Sequence, residues 1–176
     1  MSLYIVFLRA VNVSGKNIIK MQALKDVLQE AGFGEVKTYI QSGNLLLNSN
    51  LNAPELGRQI KALIAAVFQL DIEVFVRSRE ALQQALDQCP YGEDCAPNKV
   101  FVTFLDREPE KALLEALQAI DHKGEVFAVR GAVLYFYLPE GMAKSKMSNN
   151  YFESRLKLKA TGRNVNTVKK MLELAE

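Results

Sequence analysis

The sequence predicts an α+β protein made of two similar halves with antiparallel sheets. Each half contains a run of mainly aliphatic and aromatic residues, at residues 3–8 and 100–105, which is typical of a buried central strand. Each run is followed by apolar residues at helical spacing and then by two short strands that meet near a glycine, Gly43 or Gly131. The repeated order of elements indicates a structural duplication without a detectable sequence repeat.

The first half contains a complete set of six elements. After the strand at residues 3–8, the apolar spacing predicts a helix that starts near Met21 and stops at Gly32. A second helix is expected after Asn52, because this residue is a favourable N-cap and Glu55 follows three positions later. The remaining strands are predicted at residues 36–40, 44–48 and 72–77. This strand, helix, strand, strand, helix, strand order is the split βαβ arrangement of ferredoxin-like domains.

The second half repeats this order but is predicted to be incomplete. A helix should begin at Ser78, and a helix and a hairpin should follow the strand at residues 100–105, with hairpin strands at residues 125–130 and 132–138. A short terminal helix at residues 165–174 takes the place of the last strand. We therefore expect a first domain at residues 1–78 and a second at residues 79–176 that ends in a basic helical segment.

The composition is that of an ordinary folded protein. Of the 176 residues, 49% are hydrophobic and 24% are charged, which excludes a disordered chain. The periodic patterns place four residues in the core, namely Leu28, Ile64, Phe104 and Leu117. No apolar segment approaches the ~20 residues that a bilayer crossing needs, and no secretory leader pattern is present, so we expect a cytoplasmic protein without membrane contact.

Few side chains are suited to metal binding or to nucleophilic catalysis. Cys89 and Cys95 are separated by five residues, a spacing that fits neither a redox C-x-x-C motif nor a zinc site, so free thiols are expected. The single histidine, His122, is expected to be exposed near the end of a helix. The sequence thus predicts no metal site and no cofactor.

Positive charge is concentrated toward the C-terminus. The net formal charge is +2, but residues 143–170 contain eight basic residues and a single acidic one, Glu153. Such a segment attracts phosphates and polyanions, although a basic surface is also commonly just solvated.

The split βαβ topology brings two polar segments to one edge of the first sheet. The loop at residues 9–17 follows the first strand and the turn at residues 41–44 follows the second, which runs parallel to the first. The first helix also begins there, and helix N-termini favour anions. The candidate ligand-binding residues are Arg9, Asn12, Lys16, Gln41, Ser42 and Asn44. The alternative is structural: Arg9 and Asn12 bond loop carbonyls, and Lys16 is solvated.

A second polar cluster near the C-terminus consists of Ser145, Lys146, Arg163 and Asn164. Its cationic and amide groups are also suited to an anion, whereas the structural alternative makes Asn164 a helix cap that supports Thr167. Residues 14–17 superficially suggest a phosphate loop, but Ala10 and Asn17 occupy the positions where that motif requires glycine and a hydroxyl residue.

Four segments occur in order over nearly the whole chain, namely residues 7–15, the run from Thr38 to Asn44, Gly141 with Ser145 and Lys146, and residues 160–168. In these segments the sequence resembles the DUF1697 family of bacterial proteins of unknown function. The resemblance implies an α+β fold with ferredoxin-like halves and brings no established activity. The chain departs from the common family pattern at four positions, Ala10, Val11, Ser14 and Val165.

Three kinds of function are compatible with these features. The first is binding of a phosphorylated small molecule or a nucleic acid at the polar loop corners, although the chain has no tryptophan and no evident pair of exposed aromatic residues to stack on bases. The second is a protein-interaction or self-association module that acts through sheet edges. The third is an enzyme of unidentified reaction, which is disfavoured because no carboxylate or histidine neighbours the amides in sequence.

Overall fold

The computed structural model describes all residues from Met1 to Glu176. It contains eight strands, six α-helices and two short 3₁₀ turns, at Pro97–Lys99 and Met142–Lys144. The strands and helices in chain order are β1 (Ser2–Leu8), α1 (Met21–Glu30), β2 (Gly34–Tyr39), β3 (Asn44–Ser49), α2 (Ala53–Phe68), β4 (Val74–Ser78), α3 (Arg79–Asp87), β5 (Val100–Leu105), α4 (Lys111–Gln118), β6 (Val126–Arg130), β7 (Val133–Tyr137), α5 (Asn149–Leu156), β8 (Ala160–Asn164) and α6 (Val165–Leu174).

The chain forms two compact units. Unit 1 contains Met1–Gln83 together with Lys170–Glu176, and unit 2 contains Gln84–Lys169. The division therefore passes through α3 and α6, whereas the sequence suggested a boundary after residue 78. No helix combines the length and the hydropathy needed to cross a bilayer.

Each unit contains one four-stranded antiparallel sheet. The strand orders are β2-β3-β1-β4 and β6-β7-β5-β8, so both units have the split βαβ topology with their first strand in a central position. The predicted fold class, an α+β protein with two ferredoxin-like halves followed by C-terminal helices, is confirmed.

One detail of that prediction needs correction, because the sheet of unit 2 is complete. Ala160–Asn164 forms β8, which pairs with β5 from Phe101 to Leu105. The segment was assigned to a polar cluster since it contains small and polar residues and no apolar alternation. Its Gly162 lies opposite Thr103, and a Cβ at this position would come within 2.9 Å of Thr103 Oγ1 and of Asn149 Oδ1 on α5. Close packing of α5 over β8 thus explains a strand without large apolar residues.

The core of unit 1 lies between its sheet and helices α1 and α2. Val6 and Leu8 of β1 pack with Leu28 of α1 and Ile64 of α2, all of which are fully buried. Helix α2 begins as the sequence predicted, with Asn52 Oδ1 accepting from the backbone N–H of Glu55 at 3.0 Å in a capping box.

The core of unit 2 contains a cluster of aromatic side chains on one face of its sheet. Phe101 and Phe136 stack at a centroid distance of 4.9 Å, and Phe152 of α5 lies 5.2 Å from Phe136. Leu117 of α4 is buried in the same hydrophobic core, and Phe104 is also fully buried. The four predicted core residues are therefore all confirmed as buried.

Candidate functional site

The candidate site of unit 1 lies at the end of the sheet where strands β1 and β2 both terminate. We call it the unit 1 corner and define it as residues 9–20, which join β1 to α1, together with the turn at residues 40–43. The backbone N–H of Leu8 donates to Gly43 O at 2.8 Å, so the two segments meet as the topology predicted. Gly43 has φ +77°, and a Cβ there would lie 2.8 Å from Leu8 Cβ. Only glycine allows this close approach.

Asn12 holds the two segments of the corner together. Its Nδ2 donates to Gln41 O at 2.7 Å and to Ile19 O at 2.9 Å, while its Oδ1 accepts from the backbone N–H of Ile19 at 2.9 Å. The backbone N–H of Asn12 also donates to Asn17 O at 3.1 Å. Asn12 thus fixes the start and the end of the loop relative to the turn, which is the structural role considered from the sequence.

The tip of the loop is a tight hairpin. The backbone N–H of Lys16 donates to Val13 O at 2.9 Å, and the two residues between them, Ser14 and Gly15, have φ of 50° and 73°. Positive φ at both central positions is the pattern of a type I′ turn, which suits tight hairpins. The tip is exposed, so the hairpin presents a rigid projection.

The amide side chains of the turn and loop are mostly engaged within the protein. Asn44 is fully buried, and its Nδ2 donates to Tyr39 O at 3.1 Å and to Ser42 Oγ at 2.9 Å. Asn17 Nδ2 donates to Ala10 O at 2.9 Å. Asn12 and Asn44, both predicted as ligand-binding residues, therefore position the corner. Ser42 supports Asn44.

The surface of the unit 1 corner is cationic and partly aliphatic. Lys16, Lys20 and Gln41 are exposed, Arg9 is half-buried, and residues 9–20 contain no acidic side chain. Three large aliphatic residues are also more than half exposed, namely Val13 (52%), Ile18 (63%) and Ile40 (51%). Positive charge and apolar surface thus occupy the same rigid loops.

Comparison with known proteins places the chain in a family. A model described as "Protein of unknown function (DUF1697)" matches residues 1–135, which include the whole unit 1 corner. The chain belongs to the DUF1697 family. It is also similar to a solved structure, that of the conserved bacterial protein SP0830 from Streptococcus pneumoniae, with a TM-score of 0.72 and 22% identity over 99% of both chains. This likeness shows a shared fold. No curated protein matches the chain.

The DUF1697 chain repeats the backbone of the corner in unit 2 with different side chains. The backbone N–H of Leu105 donates to Ala132 O at 2.9 Å, as that of Leu8 donates to Gly43 O. The backbone N–H of Asp106 donates to Lys159 O, as that of Arg9 donates to Glu73 O, and both distances are 3.0 Å. The equivalent loop, residues 106–110, carries three carboxylates, on Asp106, Glu108 and Glu110, and no counterpart of Asn12. The cationic character of the corner is therefore specific to unit 1.

The second predicted cluster lies at the opposite edge of the unit 2 sheet, where β5 begins. Ser145 Oγ donates to Glu125 Oε2 at 2.8 Å and accepts from the backbone N–H of Met147 at 2.9 Å, so Ser145 anchors the loop before α5. Asn164 Oδ1 accepts from the backbone N–H of Thr167 at 2.9 Å, as the structural alternative proposed. Lys146 is exposed.

Arg163 is buried in β8 of the DUF1697 chain. Its Nη1 donates to Thr161 Oγ1 and to Gly162 O, both at 2.9 Å. Burial lowers the pKa of Arg163 to about 10. Only 9% of its surface is exposed, so the structure does not present Arg163 at an open corner as the sequence suggested.

His122 is half-buried, whereas the sequence predicted an exposed position. Its Nε2 lies 2.8 Å from Tyr151 Oη, and its ring packs edge-on against Phe127 and Tyr151. The local sequence could not show this contact, because the partner tyrosine lies 29 residues further along. No group of three or more acidic, histidine or cysteine side chains is arranged to hold a metal ion.

Proposed function

We propose that the DUF1697 chain binds an anionic group of a phosphorylated small molecule or a nucleic acid at the unit 1 corner. The observation that carries this proposal is a hydrogen-bonded surface loop that carries three cations and no carboxylate. Arg9 and Lys16 supply positive charge, and phosphate oxygens are strong acceptors for such groups. The side chains of Asn12 and Asn44 hold the backbone of the corner in place through their hydrogen bonds.

The backbone of the loop supports the same proposal. Ala10, Asn12 and Ser14 have φ of 54°, 55° and 50°, and each is separated from the next by one residue with ordinary negative φ. Conformations that are unfavourable for non-glycine residues persist where the surroundings hold them, often at ligand sites. The bonds of Asn12 provide that support here.

Binding is better supported than catalysis at this corner. Its amide side chains are engaged in holding the loop, and amides position a ligand without transferring protons. Glu73 lies next to the corner, because its backbone O accepts from the backbone N–H of Arg9. The carboxylate of Glu73 pairs with Lys61 Nζ at 2.7 Å. That ion pair raises the pKa of Lys61, chiefly through the hydrogen bond to Glu73. The Glu73 carboxylate is thus engaged in an ion pair with Lys61.

The exposed aliphatic residues favour a second candidate, recognition of a protein partner. Val13, Ile18 and Ile40 stand beside the cations, and such a mixed surface fits a partner with an apolar centre and an acidic rim. The two candidates differ in salt dependence. Phosphate contacts weaken steeply as salt is added, whereas an interface dominated by apolar burial changes little.

A melting-temperature screen tests the proposal. Nucleotides, phosphosugars and oligonucleotides are added to the full chain, and a true ligand at 100 times its dissociation constant stabilises it by about 2.7 kcal/mol. For a chain of this size we expect a rise of about 5–10 °C. The rise should shrink with added salt and should be smaller in Lys16→Ala. No stabilisation by any phosphate compound, or an equal rise in Lys16→Ala, contradicts anion binding at this corner.

A further inference from the structure

Unit 2 contains a cavity that belongs to neither polar cluster. It has a volume of about 410 Å³ and lies between the loop after α3, the start of β5 and one side of α6. Its lining includes Cys89, Tyr91, Cys95, Val100, Val165 and Lys169. Both cysteines of the chain thus face a single cavity, whose walls are otherwise mostly apolar.

The two thiols line the same cavity and are partly shielded from water. Cys89 and Cys95 are free and half-buried, and Cys89 Sγ donates to Tyr91 O at 3.7 Å. Burial raises the pKa of the Cys89 thiol, and the charge of Cys95 raises it further. Both thiols therefore lie at the wall of one cavity.

The loop that carries the thiols can adjust its backbone. No helix or strand occurs between the end of α3 at Asp87 and the 3₁₀ turn at Pro97. The backbone N–H of Cys95 donates to Gly92 O at 3.0 Å, which closes a tight turn just before Cys95. A disulfide needs a Cα separation of about 4.4–6.8 Å, which a short loop without ladder hydrogen bonds can reach at little cost.

We propose that Cys89 and Cys95 are a modification site, at which a small-molecule disulfide such as oxidised glutathione converts the two thiols into an intramolecular disulfide. The Cys95 thiolate attacks the oxidant, forms a mixed disulfide and releases one glutathione thiolate. The Cys89 thiol then loses its proton to solvent and attacks Cys95 Sγ, which releases the second glutathione. The two protein thiols are oxidised, and the oxidant disulfide is reduced to two thiols.

The bond changes the wall of the cavity. Cys89 and Cys95 bracket Tyr91 and Gly92, which also line it, so the disulfide closes this loop into a ring. The cavity therefore has a reduced and an oxidised form with different linings. Reduction by dithiothreitol or glutathione restores the first form.

Intact-mass measurement on the full chain tests the proposal. After treatment with oxidised glutathione we expect a loss of two hydrogens, no free thiol, and full reversal by dithiothreitol. Cys89→Ser should stop at a stable glutathione adduct on Cys95, and Cys95→Ser should react more slowly because its remaining thiol is half-buried and has a raised pKa. A wild-type chain that carries two glutathiones, forms only linked dimers or keeps both thiols would overturn the assignment.

A second measurement tests whether the fold promotes the disulfide more than the short sequence separation of Cys89 and Cys95 does by itself. The equilibrium between dithiol and disulfide is titrated against the two forms of glutathione, once in buffer and once in urea. If the fold places the thiols in one cavity, their effective concentration should be about tenfold higher in buffer. An equal or lower value in the folded chain would show that the cavity plays no part.

Discussion

Removal of the Asn12 side chain should destabilise unit 1 strongly although this side chain is only half-buried. Asn12→Ala removes three hydrogen bonds, two to carbonyls and one from the backbone N–H of Ile19. A typical hydrogen bond contributes about 0.5–1.5 kcal/mol. The residue has φ 55°, a conformation that asparagine tolerates better than alanine. Together these effects predict a loss of about 2–4 kcal/mol in the free energy of unfolding.

Urea unfolding followed by circular dichroism provides the measurement. Asn12→Asp keeps the acceptor for Ile19 but sets a carboxylate oxygen against the carbonyl oxygens of Ile19 and Gln41, so it should destabilise unit 1 at least as much as Asn12→Ala. Asn50→Ala is the matched control, because Asn50 is exposed and its replacement should change stability by less than about 0.5 kcal/mol. If Asn12→Ala unfolds at the same urea concentration as Asn50→Ala, Asn12 does not hold the corner together.

Two further substitutions test the packing of each unit. Ile64→Ala should cost roughly 2–5 kcal/mol because it leaves a cavity in the core of unit 1, and a loss below about 0.5 kcal/mol would show that this face of α2 is not packed. Gly162→Ala should cost about 1–3 kcal/mol, since the added methyl group meets Thr103 and Asn149 at 2.9 Å. Gly92→Ala, whose added Cβ has no atom within 4 Å, serves as its control in the same thermal melts, and equal melting temperatures would refute the close packing.

The sequence predicted well those elements whose buried residues recur at the regular spacing of a strand or a helix. The unbroken run that became β1 and the cap at Asn52 depend on neighbours within a few positions, so a single sequence contains the required information. Strand β8 was missed for the opposite reason. Its place in the sheet depends on close packing of Gly162 against α5, and on the burial of Arg163, which a local pattern does not reveal.

The sequence predicted which two segments meet at the corner but not which bonds their amide side chains form. The topology correctly brought the loop after β1 to the turn after β2, because β1 and β2 run parallel. The amides of Asn12 and Asn44 were expected to face a ligand, yet they bond backbone carbonyls of the corner itself. An asparagine offers the same donors in both roles, and only the three-dimensional contacts distinguish them.

Titration calorimetry with the strongest phosphate compound of the melting screen tests the central proposal most directly. Lys16 is exposed, so Lys16→Ala should leave the melting temperature of the free protein unchanged. Loss of a charged hydrogen bond, worth about 1.5–3 kcal/mol, should weaken binding by roughly 10- to 100-fold. Lys159→Ala removes an equally exposed lysine of unit 2 and should bind like wild type. Equal affinities in Lys16→Ala and Lys159→Ala would contradict anion binding at the unit 1 corner.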